Sequence, residues 1–247
     1  MINYKMPVDI IPEDESFRIE ELNRFEILNT LPETDFDLLT LLAAEIFDSE
    51  KAFICFVDKD EVFIKASFPA EYGPRATKRA ENLCSLSILK DEVTVYHDIH
   101  QHYELTDSSF LKGDDDLRFY AAAPIKNGSG SALGTICVTD SKAHPDVSEK
   151  QIRLLQLLAD HIMEKMESRL VNLQLQKTHD EFLRRLSHDL KNPVTSISLY
   201  AQLLGSREMS AEKVFSMASK IEISSQKIQT LLSTAIPKPQ PDTCVQS

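Results

Sequence analysis

Apolar residues recur at helical spacing over residues 18–28 (RIEELNRFEIL) and 35–47 (DFDLLTLLAAEIF), which predicts two amphipathic helices. Between them NTLPET carries turn chemistry, with Pro32 as a stop and Thr34 as the N-cap of the second helix. The pattern then changes to short runs rich in β-branched and aromatic residues. AFICFV (52–57) and EVFIKASF (61–68), joined by Asp58-Lys59-Asp60, read as a hairpin. VTVYH (93–97), FYAAAPI (119–125) and ALGTICVT (132–139) add three strands, the last two linked by the turn-forming KNGSGS. Strands in this order with flanking helices predict an α+β domain on an antiparallel sheet of five to six strands. Residues 98–118 are polar and rich in histidine and acids, and read as a long loop over one sheet face, a place where pockets close.

From Ser148, a good N-cap, apolar residues recur as Ile152, Leu155, Ala159, Ile162, Met166, Leu170 and Leu173. Alternating steps of three and four read as a narrow seam, which predicts a connecting helix pairing in parallel with a second copy. The seam loosens across 174–181 (QLQKTHDE), where a stutter in helical phase is expected.

Composition narrows the field. With 247 residues there is room for one or two domains, and 42% apolar and 27% charged residues with 6 Gly and 11 Pro describe a globular chain. No window approaches the ~18 apolar residues of a membrane span, and MINYKMPVDIIPEDESF places acids where a signal peptide places its apolar run. A cytoplasmic protein is expected. The net charge of −12 is uneven: residues 1–146 hold 28 acids and 14 bases, and residues 147–247 hold 11 acids and 13 bases. Neither part supplies the basic stripe that nucleic acid requires. Cys55, Cys84, Cys137 and Cys244 stand far apart without a CxxC, so no zinc site or disulfide framework is signalled and reduced thiols are expected. His97, His100 and His102 would reach one metal only if their loop folded back, the basis of a competing reading as a metal-dependent enzyme. The run Gly113-Asp114-Asp115-Asp116 lacks the alternating ligands of a calcium loop.

Three stretches, RFEILNTLPETDFD, RFYAAAPI and ALGTICVTD, resemble the GAF domain, a small-molecule-sensing module, over about residues 20–170. Cys84 in NLCSLSIL and Asp98 in YHD match positions that recur in the bacterial subgroup attached to signalling outputs, whereas Ala122 stands where a glycine is usual. The resemblance implies an unidentified small ligand. Bilin attachment is disfavoured, since Cys84 is followed by Ser85 and not by histidine.

The stretch FLRRLSHDLKNPVTSISLYAQLL (182–204) resembles the H-box of sensor histidine kinases, where a helical hairpin forms the dimerisation and phosphoacceptor (HisKA) domain. The resemblance implies that His188 is the phosphorylated residue. A second helix, SAEKVFSMASKIEISSQKIQTLLSTA, would follow a turn at Gly205-Ser206-Arg207 and present Val214, Met217, Ile221, Ser225, Ile228 and Leu232 on one face. Two hairpins would make a four-helix bundle. Chemically, phosphoryl transfer to imidazole needs one free nitrogen and an acceptor for the other N–H; Asp189 can be that acceptor and base. Asn192, one turn on, matches the position that orients water for dephosphorylating a partner aspartate, and Pro193 should bend the helix just beyond.

The expected organisation is an extension (1–17), a GAF sensor with the start of the connecting helix (18–170), the hairpin (171–235) and a flexible tail (236–247). No glycine-rich nucleotide-binding boxes occur, so no cofactor is expected in these residues and ATP-dependent phosphorylation is expected in trans. The implied partners are a second copy, a response regulator receiver domain and a histidine kinase acting in trans. The alternatives are a non-catalytic dimeric modulator or a response regulator phosphatase.

Overall fold

The computed structural model describes residues 10–70, 75–102, 105, 117–206 and 209–235. The chain divides into two compact units, residues 1–171 and 172–247.

In the first unit, α1 (Glu15–Arg24) and α2 (Thr34–Phe47) precede β1 (Lys51–Val57), β2 (Glu61–Phe68) and β3 (Arg75–Lys78). A short helix, α3 (Cys84–Ser87), leads to β4 (Thr94–Tyr96), and β5 (Phe119–Lys126) and β6 (Ala132–Asp140) follow. The six strands form one antiparallel sheet in the order β3-β2-β1-β6-β5-β4. The third strand is legible only in the structure, because RATK is too short and polar to stand out from its surroundings.

The strands alternate between two buried layers. Ile54, Phe56, Phe119, Ala121, Ala123 and Val138 join one layer, which α1, α2 and the start of the connecting helix complete with Leu22, Phe36, Phe47 and Ile162. Cys55, Val57, Tyr120, Ala122 and Cys137 join the other, with Leu83, Cys84, Leu86 and Ile99 above them. Burial on both faces explains why β6 is buried along its whole length and shows no alternation of apolar and charged residues up to Asp140. Gly134 is required where β1 crosses closest to β6, since a Cβ there would lie 2.0 Å from the Cys55 carbonyl oxygen.

Several expected boundaries move. The first helix starts at Glu15, and Ile10 is already buried, so residues 10–17 belong to the folded unit. That helix ends at Arg24 because Glu26 takes a left-handed backbone (φ 47°). At α2 the N-cap position falls on Glu33, not Thr34; neither makes a capping bond, and the Glu33 carboxylate is spent on Lys65 and Arg169. The histidine-rich loop begins with a 3-10 turn over Ile99–Gln101, while residues 103–104 and 106–116, including the Asp114–Asp116 run, lie outside the described residues.

Helix α4 runs unbroken from Glu149 to Ser206. Its start is a reciprocal capping box: Ser148 N–H donates to Gln151 Oε1 (2.9 Å), and Gln151 N–H donates back to Ser148 Oγ (3.3 Å). The expected parallel seam is not what buries its first half. Leu155, Ala159, Ile162, Met163 and Met166 are buried in the sheet's own core, with Leu158 and Leu170 packed beside them. The stripe is broadened by Leu158 and Met163, which suits packing on a sheet and not a two-helix seam. Residues 174–181 remain helical and exposed.

The second unit holds the rest of α4 and α5 (Ala211–Ala235). On α4 Leu186, Leu190, Pro193, Ile197, Tyr200 and Leu204 form a half-buried or buried stripe stepping by four and three, with Ser196 and Leu203 half-buried beside it. On α5 Met217, Ile221, Ser224, Ile228, Leu231 and Ala235 form a half-buried stripe with the same steps, with Ser219 half-buried beside it. The α5 face is therefore rotated from the expected one: Val214, Ser225 and Leu232 are exposed. A strict 3.5-residue repeat selects Ser224 and Leu231 over their neighbours, one position of about 100° away. Lys220 Nζ sits 5.2 Å over the Tyr200 ring, marking where the helices face each other. No helix among the described residues is long and apolar enough to cross a membrane.

Candidate functional site

His188 and Asp189 stand on the exposed side of α4, their side chains 75% and 56% accessible. The flanking Leu186 and Leu190 turn towards the half-buried stripe, so the apolar period holds the helix and aims the histidine outward. His188 Nδ1 lies 3.2 Å from Asp189 Oδ1. A carboxylate at Nδ1 favours the tautomer with its proton there and leaves Nε2 with a lone pair. Asn192 is exposed one turn further on. Pro193 is buried and removes the N–H that would bond the Asp189 carbonyl, yet the helix continues through it. Just beyond, the Thr195 and Ser196 hydroxyls donate to the carbonyls of Lys191 (2.7 Å) and Asn192 (3.1 Å).

In the first unit the NTLPET turn and Asp98, which carry part of the GAF resemblance, act structurally. Lys65 is 1% exposed, and its ammonium donates to Thr30 Oγ1 (2.7 Å), the Leu31 carbonyl (2.6 Å) and Glu33 Oε1 (2.7 Å), all within NTLPET. Burial pulls the Lys65 pKa down, and the Glu33 carboxylate opposes that pull. Arg169 of α4 donates to the same Glu33 oxygen (3.1 Å) and to the Phe25 carbonyl (2.8 Å). Asp98 receives Arg118 Nε (2.9 Å) and Nη2 (2.5 Å) and the His100 N–H (3.2 Å). The Arg118 bonds chiefly hold its carboxyl at about 2.

The three loop histidines are engaged separately. His97 Nδ1 donates to the His144 carbonyl (2.7 Å), His102 packs edge-on to Tyr96, and His100 is exposed. Among the described residues they do not meet as a metal-ligating group. His144 stacks on Phe119, with ring centroids 4.1 Å apart, and its Nε2 lies 3.2 Å from Asp140.

The cysteines, in contrast, do converge. Cys55 on β1, Cys84 on α3 and Cys137 on β6 bring their sulfurs within 4.8 Å of one another. Sequence reading missed this group because its members are 29 and 53 residues apart. Only the strand register places Cys55 opposite Thr135, two residues from Cys137 on the same face. Hydrogen bonds from Cys137 and Cys55 draw the Cys84 thiol well below its usual range, against the opposing effect of burial. The other two thiols are pushed up, Cys55 first by its bond to Cys137.

The GAF domain family model matches residues 32–165, more than half the chain, and that of the His Kinase A (phospho-acceptor) domain matches residues 178–236. A cyclic di-GMP phosphodiesterase of Pseudomonas aeruginosa is 26% identical over 157 residues, covering 64% of this chain. The chain spans 26% of that protein's length. The GAF domain of an Acinetobacter phosphoenolpyruvate-protein phosphotransferase superposes with TM-score 0.47 at 16% identity, covering 64% of this chain and 95% of that one. A domain of a putative two-component sensor histidine kinase from Sinorhizobium meliloti gives TM-score 0.42 at 15% identity, covering 62% and 97%. With its six-stranded unit matched by the one model and the helix bearing His188 by the other, the chain belongs to the GAF domain family and continues into a phospho-acceptor domain, the organisation of two-component proteins of the sensor histidine kinase type.

Proposed function

We propose that these residues form a phosphorelay module in which His188 accepts a phosphoryl group supplied in trans by an ATP-binding catalytic domain outside residues 1–247. The observation that carries this reading is the His188–Asp189 pair, 3.2 Å apart on an exposed helix face within the phospho-acceptor match. His188 Nε2 attacks the γ-phosphorus, the bond to the ADP oxygen breaks, and Asp189 takes up the Nδ1 proton as the ring gains positive charge. A receiver-domain aspartate then removes the phosphoryl group and the ring recovers its proton. A dimer of this chain suits the hairpin, because Phe182, Leu183, Leu199, Phe215 and Ile223 are exposed there and a second hairpin would cover them as a four-helix bundle. The GAF unit senses a small ligand, and the site of action is the cytoplasm.

The test is transfer from labelled ATP in the presence of a histidine kinase catalytic domain. Acid-labile label is expected on the wild-type chain, none on His188→Gln, and none with ATP alone. Equal label on His188→Gln sinks the assignment.

Asn192 favours a second activity of the same face. An exposed amide one turn from His188 suits orientation of water against a phosphorylated receiver aspartate. Asn192→Ala should then abolish dephosphorylation of a phosphorylated response regulator while His188 is still labelled. Loss of both activities together would refute a separate role for the amide.

A further inference from the structure

The three thiols occupy a site with no part in the chemistry at His188. Cys55 and Cys84 are each 2% exposed, as is Cys137, so the cluster lies in the interior between α3 and the sheet. Its members come from three elements that hold one another in place. Cys55 and Cys137 are fixed by the β1–β6 ladder, and Cys84 is fixed by Asn82, whose Oδ1 accepts the Cys84 N–H at 2.9 Å. The Cys84 and Cys137 sulfurs are 3.9 Å apart, and the whole triangle fits within 4.8 Å. A metal with sulfur ligands at ~2.3 Å holds them ~3.8 Å apart in a tetrahedron and ~4.0 Å apart in a trigonal plane. The cluster thus has nearly the dimensions of a metal site before any ion enters. A disulfide would instead require two sulfurs to close to about 2 Å.

A second observation points the same way. Thr135, the register partner of Cys55, is fully buried; its hydroxyl makes no hydrogen bond of ordinary geometry and is close enough to the Cys84 sulfur to favour its thiolate. A metal-bound thiolate would be a stronger acceptor for that hydroxyl than a neutral thiol is. Tyr120 adds a second hydroxyl, 3.7 Å from Cys84 Sγ and 3.0 Å from Ser87 Oγ. Two O–H groups beside the sulfurs would offset the negative charge of a three-thiolate complex in this interior.

We propose that Cys55, Cys84 and Cys137 form a binding site for monovalent copper. Three soft sulfur ligands in a water-excluded triangle select Cu(I), whereas structural zinc takes four ligands and no fourth cysteine, histidine or carboxylate joins the group among the described residues. The sulfurs bind the ion as thiolates, so copper uptake displaces thiol protons to solvent. No electron is transferred. The proposal is independent of phosphotransfer at His188, and its test is read without that activity.

The whole chain is reduced, loaded anaerobically with Cu(I) and competed against a Cu(I) chelator. One equivalent should be retained, with affinity falling as pH is lowered, because protons compete for the thiolates. X-ray absorption at the copper edge of the wild-type chain should show three sulfur neighbours at ~2.3 Å, a readout that needs no variant. Cys55→Ala, Cys84→Ser and Cys137→Ala should each abolish stoichiometric retention in protein whose circular dichroism is unchanged, while Cys244→Ser should retain the ion. Absence of retained copper, fewer than three sulfur neighbours, or zinc binding in preference to Cu(I) in a parallel titration would each overturn the proposal.

Discussion

Glu33→Gln tests how a motif that identifies the family sustains its fold. The substitution keeps the shape of the side chain and removes the negative charge facing Lys65, whose ammonium is buried beneath NTLPET. Removing one partner of a buried ion pair typically costs about 3–5 kcal/mol because the other charge is left without its counterion. Glu33 is 37% exposed, so water screens part of that interaction, and the Thr30 and Leu31 oxygens still accept from Lys65. The expected loss is therefore ~2 kcal/mol, or a fall in Tm of about 4–8 °C for a unit of this size. The pH dependence gives the argument its sign. Burial lowers the Lys65 pKa in the folded state, so the unfolded chain binds the extra proton at alkaline pH, and stability rises with pH between the folded and unfolded values. Without Glu33 that window extends to lower pH, so the deficit of Glu33→Gln should shrink as pH is raised from 7 towards 10. Adding Lys65→Met to Glu33→Gln should cost less than the two single losses summed, since the buried charge goes with its partner. Thermal melts of the four proteins between pH 7 and 10 measure all of this. A Tm within about 1 °C of wild type, or a deficit independent of pH, would refute the reasoning.

Three further outcomes follow from the same structure. Gly134→Ala should prevent normal folding or lower Tm steeply, since its Cβ would overlap the Cys55 carbonyl on the neighbouring strand; near-wild-type melting would show that the β1–β6 crossing is looser than drawn. Asp98 is held at about 2 by Arg118, so its contribution is complete above the ordinary carboxyl range and is lost as pH falls from about 4 towards 2; Asp98→Asn should flatten that part of the Tm–pH curve, and an unchanged curve would contradict the pairing. Leu155→Ala should destabilise the first unit by about 2–5 kcal/mol in chemical denaturation, with no dependence on protein concentration, whereas a helix paired across a dimer seam would show one.

What could be read from the sequence follows from how local each signal is. The strands 119–126 and 132–140 stand out because both of their faces are buried, and the capping box at Ser148 because its two partners are three residues apart. His188, Asp189 and Asn192 lie within one turn and a half of one helix, so their spacing already placed them side by side. The connecting helix misled because a stripe at steps of three and four fits a coiled coil as well as a sheet, and Leu158 and Met163 decide between them only once the sheet is in place. The α5 face differed because Ser224 and Ser225 are chemically alike, and only the packing against α4 selects the first. The thiol cluster was hidden by strand register, which no single segment encodes.

The central claim is that His188 carries the phosphoryl group, and mass mapping of the modified residue tests it most directly. The chain is phosphorylated by a supplied histidine kinase catalytic domain, kept at alkaline pH to preserve phosphohistidine, and digested for peptide fragmentation. The account predicts one added phosphoryl group per chain, located on the imidazole of His188 and lost on brief acidification. A phosphoryl group found on His161, His179 or a serine, or an unmodified His188 in protein that binds the catalytic domain, would contradict it.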